Sequence, residues 1–326
     1  MQDIYAIELE KMIFNWYYDM EHVAAEMLFN AIHIGVGNNM QVIVPIETPE
    51  VFEQMMGDPE NLNVGDTFET QQDVPIRFRH LSSAEDEGKY FIPVYTSEEE
   101  GNKGPATSII NQSFGDLVDH LDNWPDCAGL VINPWDKQFV LTKENLKIVK
   151  AYQPMSHISF VRGSVVDMHV GAIVNAANRT LLGGGGVDGA IHKAAGPKLL
   201  EECKTLDGCE TGEAKITGAY DISYADRIIH TVGPIYSGAP EDRQALSECY
   251  WNSLELALKN NCPSIAFPCI STGVYGYPIE EAAETALSTI VSWLNSHRDI
   301  VMNIFLCCYN DRELAAYQKL VEGSVN

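Results

Sequence analysis

The sequence predicts an α/β protein in two parts, and three observations carry that expectation. The second half alternates short apolar runs with amphipathic helical stretches. Two glycine-rich segments there follow strand-like runs and precede helix-like ones. The balance of acids to bases also changes near residue 150, from 26 against 9 before it to 20 against 12 after it. At about 100–200 residues per domain, 326 residues suit two domains, which we expect over 1–150 and 155–326. The junction is placed where Pro154 follows a strongly patterned segment and a new apolar run opens at His157.

In the first half, apolar residues recur at helical spacing over 7–33 until glycines at 35 and 37 stop the pattern. Strand-like runs follow at 41–46, 76–80, 90–95, 129–132 and 138–141, with a polar-capped helix over 113–121. This reads as α+β. It shows no nucleophile with a base, no phosphate loop and no metal-ligand cluster.

In the second half, strands are expected at 157–161, 172–175, 215–219, 228–232, 264–268 and 303–307, and helices at 188–195, 197–204, 241–260, 279–296 and 311–322. That alternation argues a largely parallel or mixed sheet covered on both faces. Ligands of such sheets bind outside the carboxyl ends of the strands, where the loops after Asn175 and Pro268 fall.

Composition narrows the functions. Apolar residues at 45% and charged residues at 21% exclude a disordered or coiled-coil chain. The formal charge of -25 repels phosphate backbones and anionic headgroups, so nucleic acid and membrane surfaces are disfavoured partners. The least charged window, 27–46, is interrupted by Asn30, His33, Asn38, Asn39 and Gln41 and is too polar for a membrane span. Acids where a signal peptide carries bases predict no export, and eight cysteines without a CxxC pair predict reduced thiols in a cytoplasmic protein. Scattered histidines predict no metal site and no cofactor.

The first loop, NAANRTLLGGGGVDGA at 175–190, joins a strand end to a helix start through four consecutive glycines. Such a run lets backbone N–H groups converge, and the helix N-terminus adds partial positive charge, which suits a phosphate or diphosphate. Gly184, Gly186 and Gly189 match the dinucleotide-fold spacing, but the loop begins too far beyond its strand for that motif. No Lys-Ser/Thr pair follows, which excludes a P-loop. The second loop, PCISTGVYGYP at 268–278, again leads from an apolar run to a helix with Pro near its first turn. Two such loops at two strand ends form a diphosphate clamp, with Tyr275 placed to lie against a ribose or base.

The segments AIVNAAN, LLGGGGVDGAIHKAAGP, TGEAKITGAY, IIHTVGP and AFPCISTGVYGYP, in this order, resemble the macrodomains, specifically the MacroD-type ADP-ribosyl hydrolases. The resemblance runs from about His157 to the C-terminus. The zinc-containing branch of that family inserts Cys and His into the glycine loop, and this sequence has no such insertion. In the first half, KYFIPVYTSEEE and CAGLVINPWDKQFVLTKENLKIV look like the SseB-like N-terminal domain, which implies an interaction or regulatory module with a protein partner.

The resemblance implies a three-layer α/β/α sandwich with a mixed central sheet and ADP-ribose, free or protein-linked, as ligand. It places Gly184, Gly185, Gly186, Val187, Gly189 and Ala190 in the first diphosphate loop and Ser271, Thr272, Gly273, Val274, Tyr275 and Gly276 in the second, with Asn175 also lining the site. It assigns Asn178 to the distal ribose and Asp188 to hydrolysis. A carboxylate in a loop that holds a dianion lowers affinity, so Asp188 itself argues for chemistry over binding. The implied activity is removal of mono-ADP-ribose from Asp or Glu side chains without a metal, with O-acetyl-ADP-ribose as a second substrate. The competing expectation is a non-catalytic ADP-ribose reader. His192 and His230 are read as structural and Cys269 as packing. Where the family carries Gly-Asp-Ile, this chain has Gly163-Ser164-Val165. Loss of the acidic adenine acceptor, worth about 1.5–3 kcal/mol, leaves the Ser164 hydroxyl and the Val165 backbone for that end of the ligand.

Overall fold

The computed structural model describes residues 3–20, 23, 25–47, 76–83, 87–151, 153 and 155–322. It divides into two compact units, one of Met1–Ile13 with Ala31–Tyr152 and one of Phe14–Asn30 with Gln153–Asn326. No helix among the described residues is long and apolar enough to cross a membrane.

The first unit is α+β. Helices α1 (Ile4–Tyr18) and α2 (Ala25–Gly37) occupy the expected helical stretch, and each is divided between the units. β1 (Gln41–Ile46) pairs antiparallel with β4 (Ser108–Ser113). The other sheet has the order β2-β3-β5-β6, formed by Leu81–Ser82, Tyr90–Val94, Cys127–Ile132 and Phe139–Thr142. Ser113 caps α4 (Phe114–His120), its hydroxyl accepting from the Asp116 N–H, as the sequence suggests. The strand expected at 76–80 is reduced to one bridge, Phe78 to Ile46. β4 and two short helices, α3 (Glu98–Asn102) and α5 (Lys143–Ala151), were not expected. SIINQS has little apolar alternation because none of β4 is fully buried.

The second unit departs from the expected boundary by taking in Phe14–Asn30. Asn15 clamps one backbone residue: its Nδ2 donates to His169 O at 2.6 Å and its Oδ1 accepts from His169 N at 2.9 Å. Asn30 does the same with Met155, at 2.6 and 3.2 Å. Phe14 stacks on the His169 ring, and Tyr18 lies on Gly163, where a Cβ would come 2.5 Å from its hydroxyl. Helical periodicity runs through Ile13 and Ala31 without interruption, so nothing in the pattern marks which unit each turn packs in.

The sheet of this unit has the order β7-β12-β11-β8-β10-β9. Its strands are β7 (His157–Arg162), β8 (Val170–Ala176), β9 (Ala214–Gly218), β10 (Ala225–Thr231), β11 (Ser264–Pro268) and β12 (Asn303–Cys308). All are parallel except β9, which runs antiparallel to β10, so the sheet is mixed. Side chains alternate across it. Ala172, Val174, Ile229, Phe267 and Leu306 join a core with α8 (Pro240–Lys259), α9 (Ile279–Ser296) and α10 (Asp311–Glu322). The alternate positions, such as Asn175, turn to the other face, where α6 (Gly186–Ala195) packs on β8 and α7 (Pro197–Thr205) on β9. The result is the three-layer α/β/α arrangement. A short 3-10 turn, Val165–Asp167, links β7 to β8.

Candidate functional site

Because β8 and β11 are neighbouring parallel strands, the loops that leave their carboxyl ends lie side by side. The first is built from backbone that only glycine adopts easily. Gly183 and Gly186 have φ of +87° and +61°, and a Cβ on Gly189 would lie 2.6 Å from the Gly184 carbonyl oxygen. Gly184, Gly185 and Gly186 are exposed above the first turn of α6, whose N-cap is Gly185. The amide groups of this turn are therefore presented to an anion without side-chain cover.

The second loop starts with Ser271, a non-glycine residue at φ +66°, and ends with Gly276 at φ +69°. Thr272 donates its hydroxyl to Cys269 O at 2.9 Å, and Gly276 N–H to Gly273 O at 3.0 Å, so the loop is tied to itself. Val274 at its tip is fully exposed. The stretch after β10 supports it from the side: Tyr236 N–H donates to Tyr275 O at 2.9 Å.

Asp188 lies beneath the first loop, 3% exposed. Its Oδ1 accepts a 2.7 Å hydrogen bond from Asn175 Nδ2, and His192 Nε2 stands 3.5 Å away one helical turn later. Its Oδ2 has no partner among the described residues and faces Gly184. Buried carboxylate oxygens are ordinarily hydrogen-bonded, so this oxygen is the exceptional polar group of the site.

Asn178 does not reach out as a free amide. Its Nδ2 donates to Gly183 O at 2.9 Å and its Oδ1 accepts from Thr180 N–H and Thr180 Oγ1, so both ends shape the loop. Asn175, expected to line the ligand, is 0% exposed and meets the site through Asp188 instead. The signal that misled is the strand-end position, which places the backbone at the cleft while the side chain turns under it. Ser164 accepts from Val166 N–H at the start of the 3-10 turn, and the Val165 side chain is buried. Both follow β7, which is separated from β11 by β12, so they sit at one end of the line of strand ends. Gly185, Gly186, Val187 and Ala190 surround the first turn of α6, and Gly273 is exposed in the second loop.

His230, expected to be structural, is bonded to the site: its Nδ1 is 3.1 Å from Asn175 Nδ2. Burial pushes its imidazole down to about 3, and His192 adds to the shift. The Cys269 thiol is pushed well above its ordinary value by its hydrogen bond with Cys308 and by burial, which fits packing and not nucleophilic attack.

The Macro domain family model matches residues 174–286, a stretch containing both loops and Asp188. The rat protein named ADP-ribose glycohydrolase MACROD1 is 52% identical over 178 residues, covering 54% of this chain and 69% of that protein. A macro domain-containing protein of Chlorobaculum tepidum is 54% identical over 163 residues, covering 50% of this chain and 94% of that one. A solved Trypanosoma brucei macrodomain, in complex with ADP-ribose, aligns at 47% identity with TM-score 0.47, covering 51% of this chain and 69% of that chain. With that identity extending over nearly all of the Chlorobaculum protein, the chain belongs to the macrodomain family.

Proposed function

We propose that the chain is an ADP-ribose-binding hydrolase that removes mono-ADP-ribose from Asp and Glu side chains of proteins. The observation that carries this reading is the buried Asp188 carboxylate, held by Asn175 on one oxygen and without a partner among the described residues on the other, directly below the glycine loop that we assign to the diphosphate. The named glycohydrolase activity of the rat relative supports it.

In the proposed reaction the two loops hold the diphosphate, and binding energy from that remote contact places the distal ribose over Gly184. A water bound to Asp188 Oδ2 attacks the anomeric carbon. The new C–O bond forms as the ester C–O bond breaks, the side-chain carboxylate leaves, and the water proton passes to Asp188. Asn178 fixes the loop through Gly183 and Thr180 and so sets where the ribose hydroxyls lie. O-acetyl-ADP-ribose presents a related ester and is proposed as a second substrate. No metal is assigned a role, and turnover should survive EDTA. Residues 1–150, with their SseB-like segments, are proposed as a partner-binding module, and residues 155–326 as the ADP-ribose-binding domain of a cytoplasmic protein.

The test is release of ADP-ribose from a protein modified on Asp or Glu, comparing wild type with Asp188→Ala. Loss of a general base costs about 100- to 10,000-fold in turnover while ADP-ribose binding persists. No release by the wild type, with binding intact by calorimetry, would leave a reader of ADP-ribose and sink the hydrolase.

A further inference from the structure

Beneath Asp188 a polar chain continues through the sheet, and its hydrogens can be assigned one by one. Asn175 on β8 and His230 on β10 are register partners on adjacent parallel strands, and both are 0% exposed. Asn175 Nδ2 lies 2.7 Å from Asp188 Oδ1, and a carboxylate can only accept there, which fixes the amide with its NH2 towards Asp188. The same NH2 is 3.1 Å from His230 Nδ1. That nitrogen must therefore accept, and the neutral ring carries its proton on Nε2. Nε2–H then donates to Thr217 Oγ1 at 2.9 Å, and the Thr217 hydroxyl donates to Gly218 O at 3.2 Å. The donor and acceptor assignments agree from one contact to the next, and Asn175 Oδ1 is left without a partner among the described residues.

We propose that His230, held as the Nε2–H tautomer by Thr217, is a positioning residue that orients the Asn175 amide and through it the Asp188 carboxylate. The alternative orientation of Asn175 sets its Oδ1 against both the Asp188 carboxylate oxygen and His230 Nδ1, so the two acceptors together select the productive rotamer. His192 faces this group from α6, with ring centroids 6.4 Å apart, and Cys203 Sγ lies 3.8 Å from Nε2; neither supplies an acceptor to Asn175. His230 acts through Asn175 and does not reach the cleft. The effect on turnover rests on the hydrolase reading above, whereas the tautomer and the Asn175 orientation do not.

Two experiments on the full chain test this. Nitrogen-15 NMR of the histidine-labelled protein should show His230 with Nδ1 unprotonated and Nε2 protonated, unchanged between pH 8 and pH 5; a proton on Nδ1, or titration of the ring in that range, overturns the proposal. The second compares His230→Asn, whose Oδ1 can replace Nδ1 as acceptor, with His230→Leu, which has none. His230→Leu should lose about 100-fold in kcat, the cost of a misplacement of about 1 Å, with ADP-ribose affinity within about threefold, and His230→Asn should recover most of it. A folded His230→Leu protein with full kcat overturns the inference. If the wild type shows no turnover, the hydrolase reading fails by itself, and the Asn175 side-chain amide protons decide this one. They should be protected from exchange in wild type and His230→Asn and lost from protection in His230→Leu; equal protection in all three overturns it.

Discussion

The Gly184 α-carbon lies against Asp188 Oδ2, the oxygen without a partner among the described residues, so that a Cβ there would come within 2.9 Å of Asp188 Oδ2 and 3.3 Å of Asn178 Nδ2. Asp188 cannot retreat from it, because its other oxygen is held by Asn175 at 2.7 Å. Gly184→Ala is therefore expected to displace whatever Oδ2 binds. Turnover should fall by about 100-fold, as for a misplacement of about 1 Å. The loop is exposed, so thermal stability should change little. Wild-type turnover in this variant, measured by ADP-ribose release, would show that the space beside Oδ2 is not used.

The second loop has its own contact that leaves no room. A Cβ on Gly233, just beyond β10, would overlap Ser271 Oγ and lie 2.7 Å from Ile270 Cγ2. Ser271 sits at φ +66° and is buried, so it has little freedom to move aside. Gly233→Ala should shift the loop and weaken ADP-ribose binding by about tenfold, corresponding to about 1.4 kcal/mol. Calorimetry on the purified variant checks this, and unchanged affinity would mean that the loop absorbs the methyl group.

The Asn15 clamp on His169 should be a stabilising element of the macrodomain unit. Asn15→Ala removes both hydrogen bonds to the His169 backbone, at a cost of about 1–3 kcal/mol. The expected result is a lower midpoint for the thermal transition that ADP-ribose raises, because a ligand stabilises only the unit that binds it. If that transition is unmoved, the segment Phe14–Asn30 contributes nothing to the stability of the unit it joins.

These residues also show what the sequence could and could not convey. The strands at 157–162 and 303–308 and the two loops were legible because apolar runs bounded by glycine and proline report burial and turns directly. Asp188 drew attention because a carboxylate in a glycine loop at a helix start is electrostatically unexpected if that loop takes an anion, and the structure buries it beneath that loop. Asn15 and Asn30 were not legible, since a helical Asn that clamps a backbone more than a hundred residues away has no periodic signature. His230 was read as structural, which its full burial bears out, but its partner was not legible. Its partner Asn175 lies 55 residues earlier, and only the parallel register of β8 and β10 brings them together.

That burial of His230 has a consequence for acid stability. Its imidazole titrates near 3 in the folded protein against about 6.5 when unfolded, so between those values the unfolded chain binds the extra proton. Stability therefore rises with pH across this window and falls as pH drops from about 6.5, by up to about 1.4 kcal/mol per unit from this one group. Above about pH 6.5 both states are neutral and the contribution vanishes. His230→Asn removes the titrating group, so its loss of stability between pH 6.5 and 4.5 should be shallower than that of the wild type. Urea midpoints measured across that range provide the test. Parallel pH profiles for the two proteins would mean that His230 is protonated in the folded state, and would contradict the acceptor role its Nδ1 plays for Asn175.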